Sequence, residues 1–297
     1  MNSDLDQLAK QIEASLLDSR YSYWTGIEQA AEELRERAAA LPDELAANTA
    51  WFLATVIKAR GGMARCFDQM RTGEYLDAWC GLEQIEICAQ WLRRNPFLGL
   101  DRFHIPTLLA QVAEWQKLFP YRVFCSPEII IEQAECSVCG KGVDPWNMCN
   151  HKRGNVYRGT LCSRVITKCT FISMSIVLDP VQKYSVLIAR DSEGKDPSDY
   201  SMVKFVLDRI ENPLDRWSGR WTQTYHPHSL FADRDRLSGC PCESGRSYRE
   251  CCLPRPGVIR PHYHLEFEKH PPAKLPSFSY VGFSNLSEGT QQPQQLV

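Results

Sequence analysis

Gly239-Cys240-Pro241-Cys242-Glu243-Ser244-Gly245-Arg246-Ser247-Tyr248-Arg249-Glu250-Cys251-Cys252 places four thiols within thirteen residues. Two cysteine pairs at this spacing can close around one tetrahedral ion, and a structural zinc site has all four positions filled by protein. Such a site stabilises a fold. It leaves no open position for substrate or activated water, as a catalytic zinc requires. A second cluster lies upstream. Cys136-Ser137-Val138-Cys139-Gly140-Lys141 supplies two thiols from one knuckle, where Gly140 lets the backbone turn tightly. Cys149-Asn150-His151 offers a complementary pair, making a Cys3His set of Cys136, Cys139, Cys149 and His151. Replacement of one of these ligands by Cys162, or thiols that merely pack, are the alternatives. The expected cofactor is zinc, two ions in all.

Length and charge frame these clusters. At 297 residues the chain exceeds the usual size of one domain. With 43% hydrophobic residues it can bury a proper core, and the formal net charge is -2. That near-neutrality hides an asymmetry. Residues 1–50 hold ten Asp or Glu against four Lys or Arg, a net of -6. Residues 136–170 hold Lys141, Lys152, Arg153, Arg158, Arg164 and Lys168 against Asp144, a net of +5 before any metal is counted. The thirteen cysteines cluster by metal-ligand spacing, and the first residues are acidic with no apolar stretch after them, unlike a secretory leader. No apolar run approaches the roughly 18 residues of a membrane span. A cytoplasmic protein with no membrane insertion, its thiols reduced or metal-bound, is expected.

The order of elements predicts an α+β fold: a helical N-terminal bundle, then a zinc-ribbon and β region, then a small C-terminal zinc module. Leu5, Leu8, Ile12, Leu16 and Leu17 recur at helical steps. Further helices are expected over Ile27–Ala40, from Pro42 to Arg60 with a stop at Gly61-Gly62, over Glu74–Arg94, and from Pro106 to Leu118. The Trp and Leu stripes of these helices read as core, with a peptide groove as the alternative. Beyond Pro120, strands are expected over Tyr121–Cys125, Leu161–Thr167, Phe171–Leu178, Tyr184–Ala189 and Val258–Phe267. Asp179-Pro180-Val181-Gln182 would turn a hairpin from Phe171 to Ala189, and Ser201–Ile210 would be helical. The expected domains are 1–120, helical; 121–215, zinc ribbon and hairpin; 216–283, the second zinc module; and 284–297, a mobile tail with too little apolar content to fold alone.

The thiol pattern Cys240-x-Cys242-x8-Cys251-Cys252, with Ser244-Gly245 and Tyr248 in between, resembles the SEC-C motif. This is the short zinc-binding tail of the preprotein-translocase motor SecA, also carried by many otherwise unrelated bacterial proteins. Glu243 stands where glycine is frequent in that family. The resemblance implies a docking module, since on the translocase this tail meets a chaperone and the ribosome. No Gly-x-x-x-x-Gly-Lys-Ser/Thr phosphate loop accompanies it, so translocation is not implied. The first cluster, with Gly154, Tyr157-x-Gly159 and Cys162, is similar to zinc-knuckle segments of bacterial and phage-associated proteins, which implies no activity.

Signatures of common enzymes are absent: no His-Glu-x-x-His, no Gly-x-Ser-x-Gly, no dinucleotide-binding glycines. A nuclease-like pattern of Asp179 followed by Glu193-Gly194-Lys195 is the nearest approach to an active site, but it falls in a polar loop. His226-Pro227-His228 and His262-Tyr263-His264 carry alternating imidazoles without an evident third ligand. His104 reads as a surface residue, and Cys66, Cys80 and Cys88 as apolar fillers. The expected function is therefore that of a zinc-binding adaptor docking a protein partner, for example as an accessory component of a bacterial multi-protein, anti-phage defence system. Nucleic-acid binding through Lys152, Arg153 and Arg158 is the first alternative. A divalent-metal-dependent nuclease is the second.

Overall fold

The computed structural model describes residues 1–144, 146 and 148–269. Five long helices come first: α1 (Asn2–Ala14), α2 (Tyr21–Ala39), α3 (Glu44–Thr72), α4 (Tyr75–Arg94) and α5 (Ile105–Leu118). Asp43 caps α3 by accepting from the Ala46 N–H at 3.0 Å, and Gly73 ends it in the left-handed region with φ 87°. Pro106 sits in the first turn of α5, where its missing N–H costs nothing.

The helix expected to stop at Gly61-Gly62 runs straight through them. A Cβ on Gly61 would come within 2.9 Å of the Trp24 Cβ on α2, and one on Gly62 within 3.0 Å of the Ile85 Cγ1 on α4. These glycines permit close helix contact instead of breaking the helix, and α3 becomes the axis of the bundle. Its side chains are buried along most of its length, from Ala46 to Met70, and Phe52, Leu53, Ile57 and Met63 are fully inside.

Among the described residues, six strands form three two-stranded antiparallel ribbons. In chain order they are β1 (Phe124–Cys136), β2 (Val156–Tyr157), β3 (Thr160–Leu161), β4 (Arg164–Val177), β5 (Trp217–His226) and β6 (Val258–Phe267). β1 pairs with β4, β2 with β3 and β5 with β6. The two strands expected over 161–167 and 171–178 merge into β4 from Arg164 onward, with Leu161 left in β3, because Lys168-Cys169-Thr170 contains no turn former and the irregularity is absorbed as register shifts. The Phe171–Ala189 hairpin does not form. Lys183–Ser185 is instead a 3-10 turn held on α4, where Glu83 accepts from the backbone N–H groups of Lys183 and Tyr184, and the Trp79 indole donates to the Lys183 carbonyl at 2.6 Å. The expected strand at Tyr121 starts at Phe124, and the helix expected to Ile210 is the shorter α6 (Ser201–Leu207).

The architecture is an α+β mixture with its helices at the N-terminal end. The core is not confined to those helices. Phe119, Tyr121 and Phe124 pack with Tyr200, Val203 and Val206 around α6 and with Trp217 of β5, while Val156 of β2 joins the cluster around α1 to α3. The last part of the expected 216–283 module, 270–283, and the 284–297 tail lie outside the described residues.

Replacing Gly61 with Ala is expected to destabilise the protein by about 1–2 kcal/mol, because the Trp24 Cβ cannot swing away as a flexible side-chain end would. Gly26→Ala on α2, where nothing lies within 4 Å of the new methyl, is expected to stabilise it by about 0.5–1 kcal/mol. Urea unfolding of both variants reads the opposite signs.

Candidate metal centres

The first cluster forms where β1 ends. Cys136 is the last residue of the strand, and its N–H donates to the Lys141 carbonyl at 2.9 Å while the Gly140 N–H returns to the Cys136 carbonyl at 2.8 Å. Gly140, at φ 66°, closes this knuckle. Cys149 and His151 arrive from the following loop, and donor atoms of Cys136, Cys139, Cys149 and His151 all lie within 4.8 Å of one another. The Cys136 Sγ stands 3.7 Å from the His151 Nδ1. A tetrahedral zinc holding one sulfur and one nitrogen would separate them by about 3.6 Å. Cys162 is buried, with its sulfur 3.9 Å from that of Cys136, beside the convergent four rather than among them.

The second cluster is tighter. Donor atoms of Cys240, Cys242, Cys251 and Cys252 also converge within 4.8 Å. Neighbouring sulfurs are 3.2 Å apart for Cys240 and Cys242, 3.5 Å for Cys242 and Cys251, and 3.9 Å for Cys251 and Cys252. Sulfurs of a tetrahedral zinc-thiolate centre are about 3.8 Å apart. The Ser244 hydroxyl lies 3.1 Å from the Cys251 sulfur. The loop is folded by its own backbone: Cys240 N–H donates to the Arg246 carbonyl at 2.8 Å, and Tyr248 N–H to the Ser238 carbonyl at 2.9 Å. Glu243 takes φ 61°, a conformation in which glycine is unstrained, and its carboxylate accepts from Arg260 at 3.1 Å.

Electrostatics at both clusters divide the thiols unequally. Burial opposes ionisation of Cys242, but the Ser244 hydroxyl and backbone N–H and the Cys240 and Cys251 thiols outweigh it and bring it down to about 6. Burial pushes Cys240 up to about 12. At the first cluster burial is likewise outweighed at Cys136, where the Val138 and Cys139 N–H groups and neighbouring thiols bring it down to about 6. The helical thiols differ in kind: burial raises Cys66 to about 12 and Cys88 to about 11, as for inert packing residues.

Side chains of the helical body hold the first cluster in place, and others seat the ribbon from which the second extends. Asn95, buried at the end of α4, donates to the Gly154 carbonyl at 2.9 Å and accepts from the Val156 N–H at 3.1 Å. Arg94 donates to the Asn155 side chain at 2.9 Å. The β2–β3 hairpin turns through Arg158 and Gly159, both at positive φ, as a two-residue hairpin loop of the primed type requires. Its tip meets α3, where Asn48 accepts from the Gly159 N–H at 2.8 Å. On α5, Trp115 packs edge-on against Trp217 of β5 at 5.2 Å, and Gln111 donates to the Trp217 carbonyl at 3.0 Å. None of Asn48, Asn95 or Gln111 stands out in the sequence; Asn95-Pro96 is legible there only as a helix stop.

The remaining candidates are distributed as follows. Lys152, Arg153 and Arg158 are all exposed. Arg153 shares a shallow surface depression with Arg94, Trp91 and Gln90, whereas Arg158 reaches toward the Leu41 carbonyl at 3.5 Å. Glu193 and Lys195 lie in a turn in which the Asp191 carboxylate accepts from both of their N–H groups, at 2.9 and 2.8 Å. Among the described residues, neither Asp179 nor Glu193 belongs to a convergent ligand group. His228 is a structural residue of the second centre. Its Nε2 donates to the Arg255 carbonyl at 2.8 Å, and its Nδ1 is hydrogen-bonded to the Tyr248 hydroxyl at 2.6 Å. His226, His262 and His264 line up with ring centres 6.5 and 6.2 Å apart and form no ligand group of three. His104 is exposed, at φ 49°, between a short 3-10 turn and α5.

Asn95→Ala removes partners from two backbone groups at once and is expected to cost about 1–3 kcal/mol in urea unfolding. Metal content measured on the folded variant is expected to stay at the parent value, because no ligand is changed.

No protein-family model matches the chain, and neither curated proteins nor solved structures provide a significant match.

Proposed function

We propose that this chain is a zinc-binding interaction protein that docks a protein partner, its two zinc ions held by Cys136, Cys139, Cys149 and His151 and by Cys240, Cys242, Cys251 and Cys252. The observation that carries this reading is the closure of both ligand sets, each with four protein donors within 4.8 Å. Sulfur-rich tetrahedral sets suit zinc among the common divalent ions. Such an ion supplies a fixed cross-link between distant parts of a loop. With every position taken by protein it offers no place to activate water.

Docking is supported by the resemblance of 240–252 to the SEC-C module and by the surface character of the second centre. Ser244, Gly245 and Arg246 stand exposed around ligands that are themselves largely inside. The zinc-held loop would present these residues in one conformation, so that little ordering entropy is lost on binding.

A nucleic-acid reading is favoured by one observation, the grouping of Arg153, Arg94 and the partly exposed Trp91 around one surface depression. Guanidinium groups beside an indole suit a phosphate next to a stacked base.

Metal analysis of the purified protein is expected to give two zinc equivalents per chain. Cys251→Ser is expected to lose one of them and to unfold 238–256 locally, leaving the far-ultraviolet helix signal within a few per cent. Equal zinc in variant and parent contradicts the assignment. The docking step is tested by affinity capture from nuclease-treated lysate with the parent and with Cys251→Ser/Cys252→Ser: a protein retained only by the parent is the expected result. Salt-sensitive DNA or RNA binding lost in Lys152→Glu/Arg153→Glu, with no protein retained, decides for the second reading.

A further inference from the structure

The β1–β4 ribbon leaves a long run of apolar side chains uncovered among the described residues. Its far half reads, along β4, Ile172-Ser173-Met174-Ser175-Ile176-Val177, followed by Leu178. Apolar and small polar residues alternate as in a strand with one buried face. Yet Met174, Ile176 and Leu178 are 56%, 72% and 76% exposed. Across the ladder from Met174 and Ile176 stand Pro127 and Cys125, which add no charge to this face.

The two edges of the ribbon are unlike. The outer edge of β1 is occupied at both ends: Leu187 N–H donates to the Val123 carbonyl at 2.8 Å, and Val143 N–H to the Ala134 carbonyl at 2.8 Å. Pro127 also removes a donor from that strand. β4 has no such cover. Among the described residues, its only backbone partners are those of β1. It also lacks the lysines, prolines and inward charges that usually protect a free edge, since no charged residue occurs from Cys169 to Leu178.

We propose that β4 pairs with β4 of a second copy of this chain, antiparallel about a two-fold axis at Met174, to make a four-stranded sheet ordered β1-β4-β4-β1. Two features single out a copy of itself as the occupant. In a two-fold interface every residue near the axis meets its own kind, so any charge there would repel itself; the ten residues of this stretch carry none. The charges that flank it are opposite in sign and nearly equidistant from Met174: Lys168 lies six residues before and Asp179 five after. Antiparallel pairing brings Lys168 of each copy, whose ammonium also meets Glu132 across its own ribbon, beside Asp179 of the other, at both ends of the interface. Because β4 carries a register shift at Ile172, where Ser173 and Phe171 face consecutive residues of β1, the same pairing sets Phe171 against Ile176 and Met174 against Met174, keeping apolar residues on one face. Main-chain hydrogen bonds along the edge supply most of the attraction, as in other strand additions.

The test uses the full zinc-loaded chain. Sedimentation velocity from about 1 to 100 μM is expected to show a reversible monomer–dimer equilibrium with a midpoint on the order of 10 μM. Met174→Lys, at an exposed position, sets two ammonium groups face to face and is expected to weaken the dimer at least tenfold while the circular dichroism spectrum is retained. Residues opposed in an antiparallel pair have Cα atoms about 4.5–5.5 Å apart, within disulfide reach. Met174→Cys treated with oxidised glutathione is therefore expected to give a covalent dimer whose peptide map contains a disulfide between the introduced thiols of the two copies. A monomer up to 100 μM, an open ladder of larger species, a dimer unaffected by Met174→Lys, or cross-links through other thiols alone would each overturn the proposal. Capture of a different protein's strand by this edge, with the chain itself monomeric, is one of the results that would do so.

Discussion

The segments around the two cysteine clusters have too little apolar material to hold themselves together. Besides its four thiols, the second has among the described residues a buried core of Phe231, Tyr248 and Val258 alone. The first contributes Val156 and two cysteines to the inside. What stands in for a core is the convergence of four donor atoms at each site. A zinc ion at such a site contributes on the order of 10–16 kcal/mol at neutral pH, more than the whole net stability of many domains. The conformations of 136–162 and 238–256 therefore depend on donor geometry, and the surface they present depends on those conformations.

The first candidate metal centre is fastened to the helical body mainly by polar groups. Asn95 and Asn48 reach from α4 and α3 into the β2–β3 hairpin, satisfying backbone groups that the short strands cannot pair. Buried amides of this sort carry a penalty unless their bonds are made, so they fix one arrangement of hairpin and bundle. Trp217 and Gln111 seat the β5–β6 ribbon on α5. Packing here is aromatic and directional, and the ribbon leads to the second centre through His228, whose ring joins Tyr248 to Arg255.

The convergence of both Cys/His clusters was legible because donors grouped at short spacing in a loop stay close in space, and grouping of that kind survives in one dimension. Helices with an uninterrupted apolar period and a proline at the end, such as α4 and α5, were legible for a similar reason. Glycine is the counterexample. At Gly73 it ends a helix through its positive φ, whereas at Gly61 and Gly62 it lies inside one because Trp24 and Ile85 come too close for any side chain. The same residue type answers two different constraints, and the second exists only once the neighbouring helices are in place. The β region misled in the same way: a period of two shows that β4 is a strand but not that its partner is β1, 28 or more residues earlier in the chain at the knuckle end.

The amino-acid sequence by itself determined the helical character of the N-terminal region, the two Cys/His groupings and the strand character of β4 and β6, since each follows from local periodicity or local spacing; β5 and most of β1 were not legible in it. Strand partners, the close helix contacts at Gly61 and Gly62, the clamps made by Asn48, Asn95 and Gln111, and the uncovered edge of β4 were decided by tertiary structure alone. Each of these depends on which distant groups meet, and an unpaired backbone edge or a buried amide has no counterpart in the order of the residues.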